Sequence, residues 1–303
     1  MGNYPDAVSL CAAVDLYCIS KKFNIITTAT SKTREAWDGI AVNFDRYVTP
    51  TANWALAKTA LRLACLKPGM QFLDVASGSG ALSLPAARLG VNVLAVDISP
   101  VMIERLNARA EEEGLSNLKG QVMDGHQLDL DDNTFDIAGS QFGVMLFPDF
   151  RQGLSELLRV TRPGGTVFLV TFGPVRKVGF LGLFVSAVRE VKPAFSPFPP
   201  DIVPLPFQVS EEGTLERKMK EAGLLHVRVV PVAHSLPFRS GGEMWNWVTS
   251  SNPIALEMIS SLDDEQRNQV VQLLEKRIRE RSGGQARAIL EVAVNIGIGE
   301  KAK

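Results

Sequence analysis

The chain has no excess of charge of either sign and little cysteine. Its 303 residues contain 32 Lys and Arg against 33 Asp and Glu, so no overall field attracts nucleic acid or an anionic membrane. The three cysteines, Cys11, Cys18 and Cys65, are too few and too irregularly placed for a disulfide framework or a zinc site. The composition therefore favours a reducing compartment and predicts no nucleic-acid partner and no bound metal.

Long apolar runs are also missing. None approaches the roughly 20 residues that a membrane-spanning helix needs, so we expect no integral membrane association. The segment from Ala7 to Ile19 is moderately apolar, but Asp15 interrupts it and no basic residue precedes it. A secretory signal has a basic, then an apolar, then a small-residue region, which this segment does not reproduce. We expect a cytoplasmic protein.

Apolar segments that alternate with helical patterns dominate the middle of the chain. Hydrophobic residues make up 46% of the sequence, which is ample for a core. The helix after the second apolar segment has Ser99 as its N-cap and Pro100 at its first position. Strands separated by such helices favour a doubly wound, parallel α/β sheet. The predicted strands are 71–75, 91–96, 118–122, 134–139, 166–171, 225–233 and 288–296.

The sequence divides into four parts. Residues 1–33 form a poorly patterned N-terminal arm, which could dock on a neighbouring subunit of a homo-oligomer. Residues 34–173 hold the core sheet behind a helical cover, in which we expect Pro50 to separate two helices. Residues 174–209 contain seven prolines and five phenylalanines. That composition is wrong for a linker or a strand and predicts an inserted lid. Residues 210–303 complete the sheet and contribute elements of the acceptor site.

The most informative segment is Phe72–Gly80, which reads Phe-Leu-Asp-Val-Ala-Ser-Gly-Ser-Gly. An apolar strand enters a turn in which Gly78 and Gly80 carry no Cβ and tolerate positive φ, so main chain can approach a ligand closely. The next strand ends in Asp97, where a carboxylate can hold both hydroxyls of a ribose. Together these residues predict a nucleoside-binding crevice.

Two kinds of cofactor fit such a turn. A dinucleotide fold requires three glycines in the pattern G-x-G-x-x-G, whereas counting from Gly78 places Ser83 at the third site. An NAD(P)-dependent oxidoreductase is therefore an alternative that depends on a weak motif.

The wider set of motifs resembles the class I S-adenosylmethionine-dependent methyltransferases. The branch in question includes the ubiquinone and menaquinone C-methyltransferases and many small-molecule methyltransferases. The likeness is close over about residues 68–172, where Asp74, Gly78 and Gly80 occupy the family's motif positions and Ala76 replaces its first glycine. The resemblance implies a Rossmann-like fold with a seven-stranded, mostly parallel sheet, and S-adenosyl-L-methionine as the cofactor.

The resemblance also implies roles for individual residues. The turn would face the methionine part of the cofactor, Asp97 its ribose and Asp124 its adenine amino group, with Gln141 in the loop under the sulfonium. A tyrosine of the cover, Tyr47, would close over the cofactor. The full set of cofactor-binding residues is Tyr47, Asp74, Ala76, Gly78, Gly80, Asp97, Ile98, Met102, Asp124, Gly125, His126 and Gln141.

Methyl transfer from a sulfonium requires alignment of the acceptor and exclusion of water. A general base is needed only if the acceptor loses a proton, and His234 is the candidate. Phe142, Phe180, Phe184 and Trp245 would form a closed apolar pocket. Such a pocket favours a lipophilic small molecule, such as a quinone precursor, polyketide, isoprenoid or alkaloid, methylated on C, N or O. A protein that binds the cofactor without turnover is a further alternative.

Overall fold

The computed structural model describes residues 30–198 and 203–303. Residues 1–29 lie outside the described residues, and with them most of the predicted N-terminal arm and its role in a homo-oligomer. No helix within the described ranges combines the length and the apolarity required to span a bilayer.

Seven strands form a single sheet. They are β1 Gln71–Val75, β2 Asn92–Asp97, β3 Leu118–Val122, β4 Phe135–Gln141, β5 Thr161–Phe172, β6 Leu225–Phe238 and β7 Ala288–Glu300. Their order is β3-β2-β1-β4-β5-β7-β6. All neighbours from β3 to β5 are parallel, and β7 runs antiparallel to β5 and β6. The predicted seven-stranded, mostly parallel sheet is confirmed, although β5, β6 and β7 are longer than predicted.

Strand β1 lies where the order of the sheet reverses. It pairs with β2 on one side and with Ile137–Gly139 of β4 on the other. In open α/β sheets, ligands bind in the crevice outside the carboxyl ends of the strands at such a point. The glycine turn, Asp97 and the loop after β4 all leave the sheet at this edge.

Both faces of the sheet are buried at the central strands β1 and β4. Successive side chains of a strand point to opposite faces, so Phe72 and Leu73 belong to different apolar clusters. On one face Phe72 stacks on Phe168 of β5, with ring centroids 5.8 Å apart. On the other, Leu73 and Val167 belong to the same buried apolar cluster. Burying a side chain of this size contributes about 1.5–3 kcal/mol to the free energy of folding. Because both faces are buried, the central strands are nearly continuous runs of apolar residues.

Helices cover both faces. They are α1 Thr30–Asn43, α2 Trp54–Leu63, α3 Ser83–Arg88, α4 Pro100–Glu112, α5 Phe150–Val160, α6 Gly179–Val191, α7 Thr214–Glu221, α8 Gly241–Ser251, α9 Pro253–Ile259 and α10 Asp264–Ser282. The predicted cap of α4 is present, because Ser99 Oγ accepts the Met102 N–H at 3.1 Å. Helix α10 begins with a capping box between Asp263 and Gln266.

The cover differs from the prediction at Pro50. Helices α1 and α2 are joined by a π-helical segment, Phe44–Asn53, and not by a break. Proline removes one intrahelical hydrogen bond and clashes with the preceding turn. A wider turn is an alternative to ending the helix there, and π-helical segments are frequent near functional sites.

The segment 174–209, which the sequence predicts as a lid, contains helix α6 between two single turns, Val175–Lys177 and Leu205–Phe207. Helix α6 packs on α10, where Arg277 donates to Glu190 at 2.6 Å. Phe180 of α6 and Phe207 of the second turn line the same cavity as Gly78 of the glycine turn.

Candidate functional site

A cavity of about 450 Å³ opens at the carboxyl ends of the central strands. Helix α1 and the π-helical segment form one wall of the cavity, and the strand ends form its floor. The remaining wall comes from the segment 174–209 together with α8 and α9. Twelve of the predicted site residues lie on its wall: Ala76, Gly78, Asp97, Ile98, Met102, Asp124, Gly125, His126, Gln141, Phe142, Phe180 and His234. The topology thus brings together residues that are more than 150 positions apart in the sequence.

The turn after β1 has three residues in the left-handed region. They are Ala76 at φ 54°, Gly78 at φ 54° and Gly80 at φ 99°. A Cβ on Gly78 would lie 3.6 Å from Phe44 of the cover, so the turn approaches the cavity wall closely. Gly80 has a different function: its Cα packs against helix α3, because a Cβ there would lie 3.0 Å from Leu84. Gly80 is not part of the cavity wall.

Asp97 is fixed by main-chain donors. Its Oδ2 accepts the Gly78 N–H at 2.8 Å and its Oδ1 accepts the Ser99 N–H at 2.9 Å. These bonds tie the end of β2 to the glycine turn and leave each oxygen with further acceptor capacity. Burial raises the pKa of Asp97 to about 6, partly offset by the two backbone hydrogen bonds. The carboxylate is therefore oriented on the cavity wall to accept hydroxyl donors.

Asp74 lies behind the turn and not on the cavity wall. It is 1% exposed, and Ser83 Oγ donates to its Oδ2 at 2.5 Å. Its Oδ1 has no hydrogen-bond partner among the described residues. Burial raises the pKa of Asp74 to about 7 against the lowering effect of Ser83, and Asp97 adds to the rise. Ser83, at the position of a third glycine, thus serves to hold Asp74.

The loop after β3 forms the far end of the cavity. The Asp124 carboxylate accepts the His126 N–H at 2.9 Å and lies 3.0 Å from its Nδ1. The His126 ring stacks on Phe147 at a centroid distance of 4.3 Å. Glycine is required between them, because a Cβ on Gly125 would lie 2.6 Å from Phe147. The loop therefore presents a carboxylate next to a flat apolar surface, as an adenine ring requires.

Aromatic rings line the opposite end, which we call the aromatic chamber. Its residues are Phe142, Phe172, Phe180, Phe198, Phe207 and Trp247. Phe172 is central, with Phe142 at 4.8 Å, Phe207 at 5.6 Å and Phe180 at 6.2 Å between ring centroids. Phe142 adopts φ 58°, a conformation that costs a bulky residue energy and is found at functional sites. His234 also lies on the wall of this cavity.

The charge of the cavity wall and the residue at position 83 bear on the identity of the cofactor. Three carboxylates, Asp97, Asp124 and Asp149, are part of it, and no Lys or Arg is among the described residues that line it. A dinucleotide carries a pyrophosphate, which Rossmann folds hold at a helix N-terminus behind a third glycine, and here Ser83 occupies that position and donates to Asp74. S-adenosylmethionine carries a sulfonium, an ammonium, a carboxylate and a ribose but no phosphate. The residues present therefore fit S-adenosylmethionine.

Comparison with known proteins agrees with S-adenosylmethionine as the cofactor. Residues 73–169 match the family described as a methyltransferase domain. An uncharacterised protein of Mycobacterium tuberculosis is 36% identical over 162 residues, 49% of this chain and 58% of the relative. The demethylmenaquinone methyltransferase of Corynebacterium glutamicum is 35% identical over 134 residues, 42% of this chain and 55% of the relative.

Residues 73–169 form a class I S-adenosylmethionine-dependent methyltransferase domain. A solved structure with the same fold is the phosphoethanolamine N-methyltransferase 2 of Haemonchus contortus in complex with S-adenosyl-L-methionine. It has a TM-score of 0.54 at 16% identity and covers 91% of this chain and 58% of that one. Since the chain spans little more than half the length of the curated relatives that it matches, the methyltransferase domain is what they share.

Five predicted residues do not line the cavity of the methyltransferase domain: Tyr47, Asp74, Gly80, Phe184 and Trp245. Phe184 is fully buried, and its ring packs against Trp245 at 5.6 Å. Both residues therefore hold the lid helix in place, which corrects their assignment to the acceptor site. Instead of Tyr47, the cover brings Phe44 and Val48 to the cavity.

The predicted site residues do not include Phe44, Phe172, Phe207 or Trp247, although all four line the cavity. The phase of α8 turns Trp247 and not Trp245 towards the cavity, with the Trp247 ring 4.9 Å from Phe180. Phe207 is one of the phenylalanines of the proline-rich segment. The composition of that segment indicates aromatic residues near the crevice, but the sequence does not indicate which ring faces inward. Phe172, at the end of β5, could have been identified from its position next to the crevice.

Proposed function

We propose that the protein transfers the methyl group of S-adenosylmethionine to a lipophilic small molecule bound in the aromatic chamber. The observation that carries the proposal is one continuous cavity with acidic residues at one end and aromatic rings at the other. No Lys or Arg is among the described residues that line it. The acidic end suits a cationic adenosyl cofactor, and the apolar end suits a ring or chain.

In this proposal Asp97 accepts from the ribose hydroxyls and Asp124 from the adenine amino group. Ile98 and Met102 pack on the purine, and the main chain at 76–80 faces the methionine part. Two observations support the assignment: Asp97 is oriented by Gly78 and Ser99, and Gly125 makes room for the flat surface of Phe147. Asp74 acts from behind the turn, where its buried carboxyl faces the same segment.

The bound cofactor supplies an activated methyl group, so this chain has to align an acceptor in line with it and exclude water. Phe142 is placed for alignment, because it belongs to the chamber wall and follows Gln141 in the loop below the cofactor site. Phe180 and Phe207, from the segment proposed as a lid, cover the chamber. For an acceptor that must lose a proton, His234 is the proposed general base.

We also propose a cytoplasmic location, which the exposed free thiol of Cys65 supports. Oxidising compartments favour the pairing of such thiols.

The test has two steps. Calorimetric titration with S-adenosylhomocysteine, S-adenosylmethionine and NAD(P) identifies the cofactor, and we expect binding of the first two alone. Incubation with methyl-labelled S-adenosylmethionine then follows transfer to a panel of prenylated quinols, phenols and polyketides, with phosphoethanolamine and glycine as polar controls. We expect label only in lipophilic acceptors.

Each contrary outcome has a distinct meaning. Binding of NAD(P) without S-adenosylhomocysteine would return the oxidoreductase alternative. Tight binding of the cofactor with no labelled product from any acceptor would favour the non-catalytic alternative. Label in the polar acceptors alone would contradict the lipophilic substrate class while leaving methyl transfer intact.

A further inference from the structure

The glycine turn is held from the side that faces away from the cavity. Thr49, in the π-helical segment, lies with its Oγ1 2.9 Å from Ser79 Oγ, and both residues are almost completely buried. A hydrogen bond between two buried hydroxyls joins the cover directly to the turn. The cover and the turn are therefore in contact at the position next to Gly78, which also lies beside Phe44.

A second connection passes through helix α4. Asp45 is buried, and its carboxylate accepts from two arginines one helical turn apart. Arg105 Nη1 lies 3.2 Å from Asp45 Oδ2, and Arg109 Nη2 lies 2.6 Å from Asp45 Oδ1. Arg109 Nη1 also donates to the Ser79 carbonyl at 3.3 Å. One guanidinium therefore contacts the cover and the turn at once, whereas Arg105 hydrogen-bonds, among the described residues, to Asp45 of the cover alone.

We propose that Arg109, which is not among the residues that line the cavity, is a positioning residue for the cofactor. Its contact with Ser79 fixes the turn on the far side of Gly78, whose N–H is bonded to Asp97. Its contact with Asp45 fixes the cover, whose Phe44 lies on the cavity wall. The Arg109 guanidinium therefore holds both the turn and the cover at the cofactor site. Its planar set of N–H donors can contact two partners in a fixed geometry, which the ammonium group of lysine cannot do.

This inference rests on the proposed function for the identity of the ligand, but the coupling of cover and turn is a property of the chain. Two readouts separate them. The first is the Kd of S-adenosylhomocysteine, with the KM of S-adenosylmethionine where an acceptor is known. The second is amide hydrogen exchange of residues 44–49 and 76–80 in the ligand-free protein, which reports local opening.

The variants are Arg109→Met and, as the matched control, Arg105→Met. Both remove one ion pair to Asp45 and keep the other, but only Arg109→Met removes the contact with Ser79. We expect Arg109→Met to raise the Kd by about tenfold, the loss of one charge-assisted hydrogen bond, and to speed exchange in both segments. Arg105→Met should change the Kd by less than about threefold and leave residues 76–80 protected.

Arg109→Lys should recover only part of the affinity, because one ammonium cannot reach both partners with the same geometry. It also serves, with Thr49→Val, if Arg109→Met folds poorly; Thr49→Val should speed exchange in the same two segments. Equal effects of Arg105→Met and Arg109→Met on Kd and exchange, or no effect of Arg109→Met on either, would overturn the role of Arg109. Failure of the unaltered protein to bind S-adenosylhomocysteine would instead overturn the proposed function.

Discussion

Ala76 and Gly143 are in contact where the loops after β1 and β4 meet. A Cβ built on Gly143 would lie 2.4 Å from Ala76 Cβ and 3.1 Å from Ala76 O, so no side chain fits between them. Ala76 has φ 54°, where alanine is strained by about 1–2 kcal/mol. The methyl group that replaces the family's first glycine is therefore accommodated because position 143 has none.

Gly143→Ala tests this contact. Gly143 has φ −96°, which alanine adopts freely, so any effect is steric. We expect the added methyl to push the two loops apart and to weaken binding of S-adenosylhomocysteine by at least about tenfold, with a loss of about 1–3 kcal/mol in stability. Titration calorimetry and urea unfolding measure the two quantities.

The double variant Ala76→Gly with Gly143→Ala should recover part of both losses. No recovery would show that the Ser140 hydroxyl, at 2.8 Å from the added Cβ, dominates the clash.

Asp97→Ala should weaken cofactor binding and leave the fold intact. It removes the acceptor for Gly78 and Ser99 and, in our proposal, for two ribose hydroxyls. Hydrogen bonds to a charged group contribute about 1.5–3 kcal/mol each, so the Kd and the KM for S-adenosylmethionine should rise by about a hundredfold or more. Asp136→Ala is the control, because Asp136 is a buried carboxylate that accepts the Gln71 N–H at 2.7 Å at the other end of the sheet. It should cost stability and not affinity. Unchanged affinity in Asp97→Ala would remove Asp97 from the site.

Much of this site could be predicted because it depends on local sequence. Gly78 and Asp97 lie at the ends of strands that are buried on both faces and bounded by turns, so their positions on the sheet edge follow from its parallel topology. The aromatic chamber could not be predicted to the same extent. Whether Trp245 or Trp247 faces inward depends on the rotation of α8 about its axis, and that rotation is set by packing against α10 and the cover. The pattern of four apolar or aromatic residues in five, from Met244 to Val248, does not define one face.

Asp74→Asn should change how stability depends on pH. The pKa of Asp74 is about 7 in the folded protein against an ordinary 3.8, so between about pH 4 and pH 7 the folded state keeps a proton that the unfolded chain has lost. Stability from this group is complete below pH 4 and is lost as the pH rises to 7. A pKa difference of one corresponds to about 1.4 kcal/mol. Asparagine resembles the protonated acid, so the variant should lose stability less steeply over this range in urea unfolding. An identical pH dependence would contradict a protonated Asp74.

His234→Gln tests the proposed general base. If the acceptor loses a proton, kcat should fall by about 10²–10⁴, while the KM for S-adenosylmethionine stays unchanged. His126→Gln is the control, because His126 lies at the other end of the cavity against Phe147. It should change the KM for S-adenosylmethionine and not kcat. An unaltered kcat in His234→Gln would mean that the acceptor needs no base from this residue.

Phe180→Ala and Phe184→Ala separate the chamber from its support. The two residues are about one turn apart on α6, but only Phe180 lines the cavity, and Phe184 is fully buried against Trp245. We expect Phe180→Ala to raise the KM of the acceptor and to admit bulkier acceptors, with the Kd of S-adenosylhomocysteine unchanged. Phe184→Ala should instead cost about 3–5 kcal/mol of stability, as for other buried phenylalanines, with little change in acceptor preference at a temperature where it remains folded. Acceptor competition assays and urea unfolding give both values. If Phe184→Ala changed the acceptor preference as much as Phe180→Ala, α6 would act as a unit and no single ring would define the chamber.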